Sequence, residues 1–201
     1  MPKGRKKKRG IFAIEGEWES DLRGNLSFRP ILDLVGKLTG APYVHRDAAT
    51  QEEFFYYLDK WTQARYATFP ILYLGFHGEE ESIIIGDGRS SERFILLEDL
   101  AERLEGRCKQ RIFYFGSCAT LEIDERKLQT FLRRTDALAI CGYRNEVGMM
   151  KSAAFELLLL ETLMSNSLQI NGARAMKSNI ERSERSLCKE LGFRMVVRKP
   201  S

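Results

Sequence analysis

Two residues with reactive side chains stand directly after strong apolar runs. His77 follows Pro70-Ile71-Leu72-Tyr73-Leu74-Gly75-Phe76, and Cys118 follows Arg111-Ile112-Phe113-Tyr114-Phe115 by way of Gly116 and Ser117. If both runs are neighbouring parallel strands, about 4.8 Å apart, an imidazole and a thiol reach one narrow cleft. A cysteine nucleophile needs such a pairing, in which the imidazole stabilises the thiolate and protonates the leaving group. Gly78, having no Cβ, lets its backbone N–H approach a substrate oxygen, and with the N–H of Cys118 it would form an oxyanion hole. The residues alone leave a second reading open, in which Cys118 is a buried thiol and His77 a loop histidine.

Holding such a pair at one edge requires a sheet whose strands run the same way, and the chain alternates strand-length apolar runs with helix-period segments throughout. A first strand is expected over 11–18, then a helix in which Phe28, Ile31, Leu32 and Val35 recur at i, i+3, i+4 and i+7, with Ser27 and Pro30 in its opening turn. A short strand (42–45), a helix (51–64) and the strand 70–76 follow. Ser82 to Ile85 with Asp87-Gly88 suggests a small hairpin, because DG dipeptides supply positive φ. Further helices are expected near 97–104, 124–134, 152–164 and 171–191, and further strands at 111–115, 137–142 and 193–197. Right-handed crossovers would put every strand-to-helix loop at the carboxyl edge of the sheet.

The chain has 201 residues, enough for one core, with 43% hydrophobic and 30% charged residues, 16 Gly and 5 Pro. Disordered, collagenous and disulfide-scaffold classes are excluded on those numbers. Lys3, Arg5, Lys6, Lys7, Lys8 and Arg9 account for the basic balance, since a formal +4 becomes −2 for the remainder once those six charges are set aside. The expected organisation is a flexible basic tail over 1–10, the one segment with any affinity for nucleic acid, and a single domain over 11–201. The apolar run Ile11-Phe12-Ala13-Ile14 is too short for a signal peptide, and no window approaches a membrane span, so a cytoplasmic protein without membrane contact is expected.

Other candidates carry less. Cys108, Cys118, Cys141 and Cys188 show no CxxC spacing, and with only His45 and His77 to join them no metal site is expected. His45 ends a strand and is left out of the site. Gly86-Asp87-Gly88 lacks the spacing of a phosphate loop and is assigned to a turn. Glu122, Asp124 and Glu79 to Glu81 would make the cleft electronegative, although Asp124 also suits a helix N-cap.

His77-Gly78-Glu79-Glu80, then Ser82-Ile83-Ile84-Ile85-Gly86-Asp87-Gly88 and the helix beginning Leu96-Leu97-Glu98, resembles the caspase segment that carries the catalytic histidine. Phe115-Gly116-Ser117-Cys118-Ala119-Thr120 resembles the nucleophile motif of CHAT peptidases, the caspase-like branch of the same cysteine-peptidase clan. The order of later elements follows that family, so the resemblance covers most of 11–197, and its specific part is confined to His77–Gly88 and Ser117–Thr120. It implies a caspase-like three-layer α/β sandwich, a mainly parallel sheet of about six strands with helices on both faces. It also implies a thiol endopeptidase with His77 and Cys118 catalytic, Gly78 and Cys118 as the oxyanion hole, and no cofactor.

The Gln-Ala-Cys-Arg-Gly pentapeptide of animal caspases is absent, and Tyr143-Arg144-Asn145-Glu146 stands where the CHAT loop carries Trp and Asp. Glu146 is then the acidic candidate for a pocket that takes Arg or Lys before the scissile bond. The expected partners are a protein or peptide substrate and a regulatory protein. Two other classes stay open: an inactive caspase-like interaction module, and a nucleotide-binding doubly wound domain that lacks its phosphate loop.

Overall fold

The computed structural model describes residues 8–86 and 93–200. Its elements run β1 (Ile11–Glu15), α1 (Arg29–Thr39), β2 (Tyr43–Asp47), α2 (Gln51–Trp61), β3 (Ile71–Gly75), β4 (His77–Glu79), β5 (Ser82–Ile84), β6 (Phe94–Leu96), α3 (Leu97–Arg103), β7 (Ile112–Phe115), α4 (Glu125–Thr135), β8 (Ala139–Tyr143), α5 (Met149–Ser165), α6 (Ile170–Ser183), α7 (Arg185–Glu190) and β9 (Phe193–Val197). Six strands form one sheet in the order β2-β1-β3-β7-β8-β9, parallel except for β9, and β4-β5-β6 form a small antiparallel sheet.

Side chains on a strand alternate between faces, and here both faces are buried, so β1, β3, β7 and β8 are almost entirely apolar, Glu15 at the end of β1 being the charged exception. Phe12, Ile14, Leu72, Leu74, Phe113 and Phe115 pack with α2, α3 and α4 in one cluster. Their neighbours Ile11, Ala13, Ile71, Tyr73, Ile112 and Tyr114 pack with α1, α5 and α6 in the other. The result is a three-layer α/β/α sandwich with the sheet in the middle.

Local chemistry sets several boundaries. Pro30 lies in the first turn of α1, and the Ser27 hydroxyl accepts from Arg29 N at 3.0 Å. Asp124 caps α4 by accepting from Arg126 N at 2.6 Å.

The structure differs from the expectations in four places. The first strand stops at Glu15, so Trp18 belongs to the loop that follows. His77 does not merely follow a strand but opens β4, and the hairpin turns at Glu80-Glu81, with Glu81 at φ 62. The Asp87-Gly88 turn lies outside the described residues. The expected 171–191 helix breaks at Glu184 into α6 and α7. Finally, β9 runs antiparallel to β8. Between these strands come α5, α6 and the short α7, and the chain is back at the carboxyl edge when β9 begins, since Phe193 pairs with Tyr143 at the end of β8.

Of the expected tail over 1–10, Lys8, Arg9 and Gly10 are described: Lys8 and Arg9 donate to the carbonyls of Thr39 and Asn166, and the buried Gly10 N donates to Thr68 O at 2.7 Å. Among the described residues no helix is long and apolar enough to cross a membrane.

Candidate active site

β3 and β7 are adjacent parallel strands in which Leu74 is paired with Phe115. His77 and Cys118 each lie three residues beyond that pair, at the carboxyl edge. The ladder continues one step further, since Gly116 N donates to Leu74 O at 2.8 Å. The two segments then touch. A Cβ on Gly78 would lie 2.3 Å from Thr120 Oγ1, 2.6 Å from the Cys118 carbonyl oxygen and 2.8 Å from Ser117 Cβ. Only glycine permits this approach, so the backbone after His77 is in direct contact with the backbone at Cys118.

Ser117 and Thr120, which belong to the nucleophile-like motif, have visible work. Their buried hydroxyls are 2.7 Å apart, and Thr120 Oγ1 donates to Ser82 O at 3.0 Å, with Cys118 O at 3.2 Å. The loop is thereby pinned to β5. Ala119 adopts φ 51, a left-handed conformation that costs a non-glycine residue about 1 kcal/mol and turns the chain sharply after Cys118. The strand β8 and its loop hold the other side: Leu121 N donates to Tyr143 O at 3.0 Å and Ala119 N to Asn145 O at 3.2 Å. Val147 N donates to the half-buried Cys118 Sγ at 3.4 Å.

His77 is exposed, and its Nε2 lies 2.9 Å from the carbonyl oxygen of Trp18. A carbonyl only accepts, so Nε2 carries the proton and Nδ1 is the basic nitrogen of the neutral ring. The Trp18 indole meets the imidazole edge to face, with centroids 5.3 Å apart and planes at 71°. Sequence reasoning did not find Trp18, because it was assigned to the end of the first strand. The charged Glu15, interrupting an apolar run, was the available signal that the strand had ended.

Glu15 itself is buried, and its carboxylate accepts from four donors: Trp18 Nε1, Phe28 N, Ser27 Oγ and His45 Nε2. Glu15, His45 and Asp47 bring ligand-type atoms within 4.8 Å of one another. The four donors occupy the Glu15 oxygens, so in this structure the group is a hydrogen-bonded hub. His45, set aside in the sequence reasoning, is part of it. A cleft of about 220 Å³ opens beside this hub, lined by Glu15, Glu17, Glu19, Asp21 and Asp47 together with Trp18. Asp21 is paired with Arg23 on the surface.

The other thiols are chemically quieter. Burial pushes Cys108 up to about 12, raises Cys141 further, and moves the half-buried Cys188 to about 11. Glu146 is exposed between Asn145 and Val147, both of which bond to the Cys118 loop, and among the described residues it forms no ion pair with Arg144. On the α5 side of the sheet, the buried Glu156 carboxylate accepts from the Tyr73 and Tyr114 hydroxyls, and the Tyr114 and Tyr143 hydroxyls are 2.9 Å apart.

The model of a protein family of unknown function, DUF6642, matches residues 8–197. The chain belongs to this family. The match includes every element from β1 to β9, so the hairpin at His77 and the loop at Cys118 both lie inside the DUF6642 region. No curated protein matches the sequence.

Proposed function

We propose that this DUF6642 protein is a caspase-like cysteine endopeptidase of the CHAT type, acting through His77 and Cys118. The observation that carries the proposal is the contact of Gly78 with the Cys118 carbonyl, which brings the end of β3 and the end of β7 to one spot. The Cys118 thiolate attacks the scissile carbonyl, and the N–H groups of Gly78 and Cys118 receive the developing oxyanion. His77 gives its proton to the leaving amine, and water then hydrolyses the thioester and returns the thiol. The Trp18 carbonyl, bonded to Nε2, holds the imidazole in the tautomer whose Nδ1 accepts and returns that proton.

Preference for Arg or Lys before the scissile bond is part of the same proposal. Glu146 beside the Cys118 loop and the carboxylates lining the cleft near Trp18 make a field that attracts a guanidinium or ammonium group and repels aspartate. A reducing cytoplasm suits a free thiol nucleophile, and a protein substrate with a regulatory protein partner completes the reading. The alternative reading is the inactive caspase-like interaction module; the donation from Val147 N–H to Cys118 Sγ fits both, because an N–H donor stabilises a thiolate whether or not it turns over.

Labelling with a thiol-directed peptide electrophile at neutral pH, followed by peptide mapping, separates the two. The endopeptidase labels at Cys118 alone, because thiols raised to about 11 and about 12 hold almost no thiolate there. Cys118→Ala and His77→Ala abolish cleavage of fluorogenic peptides, and Cys108→Ala, Cys141→Ala and Cys188→Ala retain it. Cleavage by folded Cys118→Ala protein refutes the mechanism. Labelling without cleavage of any peptide favours the interaction module.

A further inference from the structure

The loop after β1 is tied to one buried carboxylate at both of its ends. Glu15 Oε1 accepts from Trp18 Nε1 at 2.6 Å and from Phe28 N at 2.9 Å, and Oε2 accepts from Ser27 Oγ at 2.7 Å and from His45 Nε2 at 2.6 Å. The side chain is 2% exposed, at the carboxyl end of a strand flanked by β2 and β3. Burying a carboxylate this completely is costly without charge-assisted hydrogen bonds, and four donors from three chain segments supply them. Those same bonds fix where Trp18 sits, and Trp18 is what touches His77, through its carbonyl and through its ring edge.

We propose that Glu15 is a positioning residue for His77, acting through the Trp18 indole that it anchors. The inference rests on the reading of His77 and Cys118 as a working pair. It adds that the aim of the imidazole is set from the far end of β1 rather than from β4, the strand that carries it. β4 is only three residues long and His77 is exposed, so packing around the ring does little to hold it. Serial contact with a buried anion supplies the missing restraint.

Trp18→Phe tests this with little disturbance. It keeps an aromatic ring and the backbone carbonyl, removes the N–H that reaches Glu15, and leaves the carboxylate three of its donors. Glu15→Gln is the second variant, keeping the shape of the side chain while replacing one acceptor oxygen by an amide donor.

Two readouts are taken on the full chain. One is the nuclear Overhauser contact between His77 and the aromatic ring at position 18, tryptophan in the wild type and in Glu15→Gln and phenylalanine in Trp18→Phe, assignable because the chain contains two histidines. The other is the second-order rate of Cys118 alkylation by iodoacetamide, compared with His77→Ala, with thermal unfolding recorded beside both. The expected result is loss of the ring contact and a rate that falls roughly ten- to a hundred-fold towards that of His77→Ala, in protein that unfolds as cooperatively as the wild type. Retention of both the ring contact and the rate in the two variants overturns the inference. If wild type and His77→Ala alkylate at the same rate, the pairing of His77 with Cys118 fails, and the ring contact alone decides whether Glu15 positions the imidazole.

Discussion

Glu156→Gln removes a carboxylate that sits on α5 against the sheet, 3% exposed and hydrogen-bonded by the Tyr73 and Tyr114 hydroxyls. Burial raises it from the ordinary 4.5 to about 7, and the bonds from Tyr73 and Tyr114 pull the other way without cancelling the effect. A group whose folded value is raised keeps its proton in the native state over a range in which the unfolded chain has released it. Its contribution to stability is therefore fully present below about 4.5 and is lost as the pH climbs to about 7. The loss amounts to about 3 kcal/mol in total, with a slope of about 1.4 kcal/mol per pH unit inside the window.

Urea unfolding of the wild type and of Glu156→Gln between pH 4.5 and 8 isolates this, because every other titrating group is common to both and cancels in the difference. The stability of the wild type relative to the variant should fall by about 3 kcal/mol across the window. A difference that stays flat, or that rises with pH, refutes the reasoning. Tyr114→Phe gives an internal check: deleting a bond that lowers the value for Glu156 moves the midpoint of the loss to higher pH.

Gly78→Ala should destabilise the protein by about 1–3 kcal/mol in urea unfolding and sharply reduce Cys118 labelling, because the new methyl would sit 2.6 Å from the Cys118 carbonyl and push β4 off the Cys118 loop. Fluorogenic peptides differing only in the residue before the scissile bond test the acidic rim: Glu146→Gln should lower the advantage of Arg over a neutral residue by several-fold, and an unchanged ratio removes Glu146 from the pocket.

The alternation of apolar runs with helix-period segments is enough to declare an α/β sheet, because a strand buried on both faces must be apolar at every position and a crossover helix on only one side. The same local rules put His77 and Cys118 just past strands that would be neighbours, and identified Asp124 as a helix cap. None of this needed contacts between distant residues.

What the sequence could not state is everything that depends on which distant groups meet. Phe193 to Val197, apolar but for Arg194, reads as a strand in either direction, and its reversal shows only in its pairing with β8 after the packed helices α5 and α6. Glu15 looked like the charge that interrupts an apolar segment, and nothing local says that its carboxylate would be surrounded by donors from positions 18, 27, 28 and 45. Trp18 and His77 are 59 residues apart along the chain, and Val147 is 29 residues from the thiol it bonds. Periodicity records which side of an element is buried, so the chain by itself determined the layers and the edge. Hydrogen bonds across the fold are specific to pairs of atoms, so only the tertiary structure decided which groups meet the His77 imidazole and hold the Cys118 loop.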